Sequence, residues 1–221
     1  MNKDCRILFY KTGIAKYISH LDLMRTMQRC FIRAGVSIKH TEGFNPHPYM
    51  AFALPLSVGC ESVCELMDFS LTDDSEQLDA LPEKLTRALP EGITVVKAYA
   101  PQRKFKEIQW IRFSGVWEYD GALSEDELNS LRTVLGRQEI IIPKKTKKGV
   151  SDTDIAPMIK SVELEACESG VLVKAVLPAQ NPSLNPEYLV RALEVYLPEL
   201  VPPLHVFRRE ELYDGNMTSF K

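Results

Sequence analysis

The sequence predicts an α+β fold made of two consecutive β-α-β-β-α-β halves. Three observations predict it. Apolar stretches switch between strand and helix periodicity in the same order twice. Capping signals open the helical stretches, and glycine or proline closes them. The chain has 221 residues, enough for two units of roughly 100 residues each.

The first half opens on the apolar and aromatic stretch Arg6 to Tyr10, a strand. A helix follows over residues 20–35. Ser19 and Asp22 form its S-x-x-D cap and Gly35 its stop. At 100° per residue Met24, Met27, Phe31 and Ala34 share one face, and Arg25, Arg29 and Arg33 the opposite one. Tyr49 to Leu56 reads as the second strand, and Ser57-Val58-Gly59 as a turn into a third, Ser62 to Leu71. The second helix lies within residues 75–89, with Leu78, Leu81, Leu85 and Leu89 near helical spacing. Pro82 places its regular part late, because proline fits best in a first turn. Gly92 precedes the fourth strand, Ile93 to Tyr99.

The second half repeats the order. Ile108 to Tyr119 is a strand. Ser124 and Glu127 form a capping box, Leu123 and Leu128 a hydrophobic staple, and Leu128, Leu131 and Leu135 an inner helix face ended by Gly136. Residues 137–159 read as a long basic connection with room for one short strand at 139–142. Ser161 to Ala166 and Val171 to Leu177 are strands joined near Ser169-Gly170. Asn185 as cap and Pro186 as first residue open a helix lined by Leu189, Ala192, Leu193 and Tyr196 and closed by Pro198. His205 to Leu212 is the last strand. The expectation is a tandem ferredoxin-like fold, with antiparallel sheets and the helices on one face of each. The halves are expected at 1–101 and 102–221, leaving the other sheet faces for a ligand.

Composition narrows the functional classes. No stretch supplies the roughly 18 apolar residues of a spanning helix. Five cysteines, Cys5, Cys30, Cys60, Cys64 and Cys167, read as small hydrophobes in a reducing compartment, so a cytoplasmic protein is expected. Cys60 and Cys64 lack the second ligand pair of a zinc site. Neither a Walker nor a dinucleotide glycine motif occurs, so no metal and no cofactor are expected. The formal charge of −3 conceals an asymmetry, with +5 over residues 1–50 and −7 over residues 60–94. Further basic segments lie at 97–112 and at 137–149, the latter with Lys144, Lys145, Lys147 and Lys148. A basic face on an acidic chain can meet phosphates, although ordinary surface charge has the same composition.

Three places could carry chemistry. His20 opens the first helix beside Ser19 and Asp22, where a histidine can bind an anion or move a proton. It projects toward the apolar face, which equally suits a core histidine near the cap. Thr41 to Pro48 holds Gly43, Phe44, Asn45 and His47 between two prolines. As a binding loop it would stack Phe44 on a base and read a base edge with Asn45. As a structural turn it would bury Phe44. Glu65 shares a strand face with Val63, Met67, Phe69 and Leu71. A carboxylate there needs a partner such as His20 or His47, or an edge position open to water.

Ser19-His20-x-Asp22 followed by arginines, then Glu42 to Pro48 and then Gly59, Ser62 and Glu65, resemble the radical-SAM-associated family of unknown function. The resemblance covers residues 6–71 and is unspecific beyond about residue 100. It implies a radical SAM protein as partner and a place in RNA metabolism. It implies no S-adenosylmethionine site here, because the cluster cysteines are absent. The expected function is a non-catalytic accessory protein presenting RNA or another anionic substrate to that enzyme. Its binding residues would be His20, Asp22, Arg25, Arg29, Gly43, Phe44, Asn45, His47 and Glu65. Two alternatives stay open. One is a protein–protein adaptor. The other is a metal-independent endoribonuclease with His20 as general acid or base, similar to CRISPR repeat-processing enzymes. The chain departs from those enzymes in lacking a glycine-rich loop near Gly215.

Overall fold

The structure is a computed structural model and describes residues 3–72, 76–146 and 149–220. The fold is mixed α+β with four α-helices among the described residues. The chain divides into two compact units, one ending at Glu107 and the other spanning Ile108–Phe220.

In the first unit β1 (Lys3–Lys11) leads through a 3-10 turn (Gly13–Tyr17) to α1 (His20–Arg33). β2 (Met50–Phe52), β3 (Glu61–Leu71), α2 (Leu81–Ala88) and β4 (Ile93–Tyr99) follow. The strands lie in the order β4-β1-β3-β2, each antiparallel to its neighbours. Period-two alternation puts Cys5, Ile7, Phe9, Met67 and Phe69 on one sheet face, where Leu81 and Leu85 of α2 join them. From α1 come Leu23, Met27, Cys30 and Phe31. That stripe, spaced four, three and one, differs from the expected one: Leu23 and Cys30 are buried, whereas Met24 and Ala34 are only half-buried.

The second strand also departs from expectation. It is three residues long rather than running from Tyr49 to Leu56. Ala53 still donates its N–H to the Leu66 carbonyl at 2.9 Å, but Pro55 has no N–H with which to extend the ladder. The helix expected within 75–89 has the late regular start that Pro82 predicts, running from Leu81 with Pro82 in its first turn. Ser75 lies outside the described residues.

The second unit contains β5 (Trp110–Glu118), α3 (Glu125–Leu135), β8 (Ser161–Cys167), β9 (Gly170–Pro178), α4 (Glu187–Tyr196) and β10 (Leu204–Tyr213). Its sheet order is β10-β5-β9-β8, again antiparallel throughout. α3 and α4 pack together, burying Leu128, Leu131, Leu189 and Leu193. The segment expected as a basic connection is instead a hairpin of β6 (Ile141–Thr146) and β7 (Gly149–Asp154). β7 is polar and largely exposed, so no apolar period announces it. The hairpin closes at its base, where Ile155 donates to the Ile140 carbonyl and Asp154 accepts from the Ile140 N–H. Lys147 and Lys148 of the basic segment lie outside the described residues. α4 begins one residue later than expected. Pro186 is its cap residue, and Asn185 accepts from the Glu187 N–H at 3.1 Å.

Among the described residues no helix is long and apolar enough to cross a membrane.

Candidate functional site

The candidate residues sit around α1. Ser19 caps this helix, accepting from the Asp22 N–H at 3.2 Å and donating its hydroxyl to Asp22 Oδ2 at 2.7 Å. That hydroxyl, with Arg25 beyond it, holds the Asp22 carboxyl below the ordinary aspartate range. Arg25 reaches Asp22 Oδ1 at 3.3 Å, an exposed pair worth little to stability. Asp22 therefore serves the helix start.

His20 is half-buried and turns inward, its ring 5.2 Å from Phe52 at an interplanar angle of 79°. Phe52 in turn meets Phe9 edge-on at 6.3 Å. Around this aromatic row lie two ionisable side chains held in the core. Glu65 is only 3% exposed, opposite Phe9 on β1 and two residues before Met67, the β-partner of Phe52. An edge position open to water is thus ruled out for it. Lys11 is 1% exposed and donates to the Lys16 carbonyl at 3.1 Å. The same carbonyl accepts from Gly59 N–H at 2.9 Å, while Glu61 accepts from Gly13 N–H at 2.9 Å. These bonds clamp the 3-10 turn onto the start of β3. Sequence reading missed Lys11. Its signal was its place beyond Phe9 at the end of an apolar strand.

The loop that carries Gly43 to Pro48 is built differently from expectation. Lys39 and Tyr49, then Thr41 and His47, bond across its base through Tyr49 N–H to Lys39 O and Thr41 N–H to His47 O, both 2.8 Å. The Thr41 hydroxyl accepts from the His47 N–H and lies 3.1 Å from His47 Nδ1. Gly43 at a φ of 123° turns the tip. Phe44 is not buried. It is 111% exposed, beside exposed Asn45 and His47.

His20 and this loop belong to opposite ends of α1. The loop springs from Ile38, which bridges Leu71 at the end of β3. The fourteen-residue helix between them spans about 21 Å at 1.5 Å per residue. What reaches His20 is Phe52, five residues beyond His47. His47 turns its Nδ1 toward Thr41 and the Asn45 carbonyl.

Arg25, Arg29 and Arg33 do not form one free ridge. Arg25 pairs with Asp22. Arg33 donates through Nε and Nη2 to the Ala88 carbonyl at the end of α2. Arg29 lies between them and lines a groove of about 630 Å³ bounded by α1 and α2, together with Arg33, Lys84 and Arg87. Lys84 and Arg87 were not singled out from sequence, because a helix projection cannot say which neighbouring helix a face meets. Among the described residues no group of three His, Cys, Asp or Glu side chains is arranged to hold a metal ion.

Comparison with known proteins adds little to this geometry. A family model described as "Uncharacterized protein conserved in bacteria (DUF2344)" matches residues 5–186. No curated protein matches. A solved structure described as "Crystal Structure of an Unknown Protein from Galdieria sulphuraria" is similar at 10% identity and a TM-score of 0.27, over 97% of this chain and 99% of that one.

Proposed function

Because the chain belongs to the DUF2344 family, whose description names no activity, we propose from the site itself that it is an accessory binding module presenting single-stranded RNA. The observation that carries this is Phe44, a large ring standing wholly in solvent on a cross-braced loop. Folding gains nothing by exposing it. A ring held in water by a stiff backbone is a stacking platform for an unpaired base, and Asn45 beside it offers both a donor and an acceptor to a base edge. Arg25 and Arg29 on the exposed side of α1 supply positive charge for phosphates.

The resemblance of residues 6–71 to the radical-SAM-associated family adds a radical SAM enzyme as the partner that receives the substrate. Each unit reads as a ferredoxin-like half. What supports this is the strand order, in which the fourth, first, third and second strands of the main sheet lie side by side in both units. Five free cysteines, four of them buried, support a reducing, cytoplasmic setting.

The test is binding of fluorescent oligoribonucleotides, followed by anisotropy across a salt series. Phe44→Ala should weaken binding by about tenfold, the scale of one lost stacking contact. It should leave the salt slope unchanged, since stacking releases no counterions. Equal binding by parent and variant defeats the reading, as does a parent that binds no RNA. Cleavage of RNA by the parent alone, abolished in His20→Ala, would replace it with the endoribonuclease reading. Proteins retained by the tagged chain from its native cell should include a radical SAM enzyme.

A further inference from the structure

The groove between α1 and α2 is lined by Arg29, Arg33, Lys84 and Arg87 with the small residues Ala34 and Pro90, and among the described residues no carboxylate is part of its walls. Three of the four cations are already engaged. Arg33 holds the Ala88 carbonyl, Lys84 pairs with Glu76, and Arg87 pairs with Glu83. Arg29 is exposed and has neither a hydrogen bond nor an ion pair among the described residues. The C-terminal ends of α1 and α2 border the same space and bring about half a negative charge each. Four cations set against two carboxylates and two helix ends leave about one positive charge in excess, and Arg29 is the side chain that carries it.

If these side chains served only to neutralise helix ends, Arg33 alone would suffice, since its fork already reaches the Ala88 carbonyl. Arg29 is one helical turn earlier and bonds no carbonyl. Its guanidinium has five donors in a planar fork suited to two oxygens of one phosphate. Lys84 and Arg87, three residues apart on α2, border the same groove opposite α1.

We infer that this groove is a phosphate-binding site, with Arg29 as the primary contact and Lys84 and Arg87 as flanking charges. The phosphate can be free or part of a polynucleotide backbone. In the latter case the groove places the phosphates of the RNA proposed above, and that part rests on the proposed function.

The experiment titrates the full chain with inorganic pyrophosphate by calorimetry and by ¹⁵N-detected shifts of the arginine Nε groups. Pyrophosphate should shift the Arg29 signal. Arg29→Gln should weaken binding about tenfold, the scale of one lost charge-assisted contact. Lys174→Gln, which removes an equal charge from the exposed Glu165 pair in the second unit, should leave affinity unchanged. Absent binding overturns the inference, as does equal binding by Arg29→Gln or equal weakening by Lys174→Gln. The arms separate the two proposals. Pyrophosphate that binds through Arg29 while a labelled oligouridylate fails to bind upholds the groove and removes the RNA reading. An oligouridylate that binds the parent and Arg29→Gln alike, with no pyrophosphate site, upholds the RNA reading and removes the groove.

Discussion

Burial sets the chemistry of individual side chains before any partner is involved. Loss of hydration pushes the Cys5 thiol up to about 12 and the Cys30 thiol to about 11. Both therefore stay protonated and shielded near neutral pH, whereas Cys167 is half-exposed. Iodoacetamide under native conditions should label Cys167 first and leave Cys5 and Cys30 unmodified until the chain unfolds. Peptide mapping that finds Cys5 or Cys30 labelled as fast as Cys167 would contradict this. Single positions were unevenly legible in the sequence. Alternation along β3 gave the face of Glu65 correctly, but the flanking β1, and with it the burial, comes from residues more than fifty positions away. For Phe44 the local pattern could describe a tight loop. It could not say whether any surface lay within reach of the ring, and none covers it.

At the scale of elements, local chemistry was most legible where it is self-contained. The Ser124–Glu127 box on α3 formed as the spacing predicts, with the Glu127 carboxylate accepting from the Ser124 hydroxyl at 2.6 Å and its N–H at 2.8 Å. Those bonds, the hydroxyl first, hold Glu127 below the usual glutamate value of 4.5. A carboxyl depressed in the folded state adds stability that is fully present above its unfolded value and is lost as pH falls through the folded one. Melting temperature should therefore fall further for the parent than for Glu127→Gln between about pH 6 and about pH 3. Identical losses in calorimetric scans of the two proteins would remove the box as a source of acid sensitivity. Elements lacking such local signals were the ones misread. β7 is a polar strand, defined by its ladder to β6 and by nothing in its own periodicity. β2 looked longer than it is, because an apolar run continues past the point where Pro55 ends the ladder.

Over the whole chain, the mixed α+β character was readable because it rests on many short signals that agree. Contacts between distant segments were not. Arg6 is the clearest case. It lies buried in β1, bonds both oxygens of Asp68 at 2.6 and 2.8 Å, and donates to the Arg103 carbonyl at 2.8 Å. Its guanidinium also sits 4.2 Å from the centre of the Phe105 ring. One side chain from the first strand thus fastens the segment by which the chain leaves the first unit. Replacing it with leucine should release that segment. Trypsin should then cut after Arg103, Lys104 and Lys106 faster than in the parent, as followed by mass spectrometry. Unchanged cleavage at those three sites would show that other contacts hold the segment.

The pairing of β1 with β4, and of β5 with β10, has a consequence for how the chain is made. Each unit's first strand lies beside its last, roughly ninety residues later. During synthesis on the ribosome neither sheet can close until its final strand has emerged, so each nascent unit carries an open strand edge for most of its translation. The first sheet can close once Tyr99 is free, while the second is still being made. Hydrogen-exchange labelling of stalled nascent chains would see the β1 amides on the β3 side protected first, and those on the β4 side only after β4 appears.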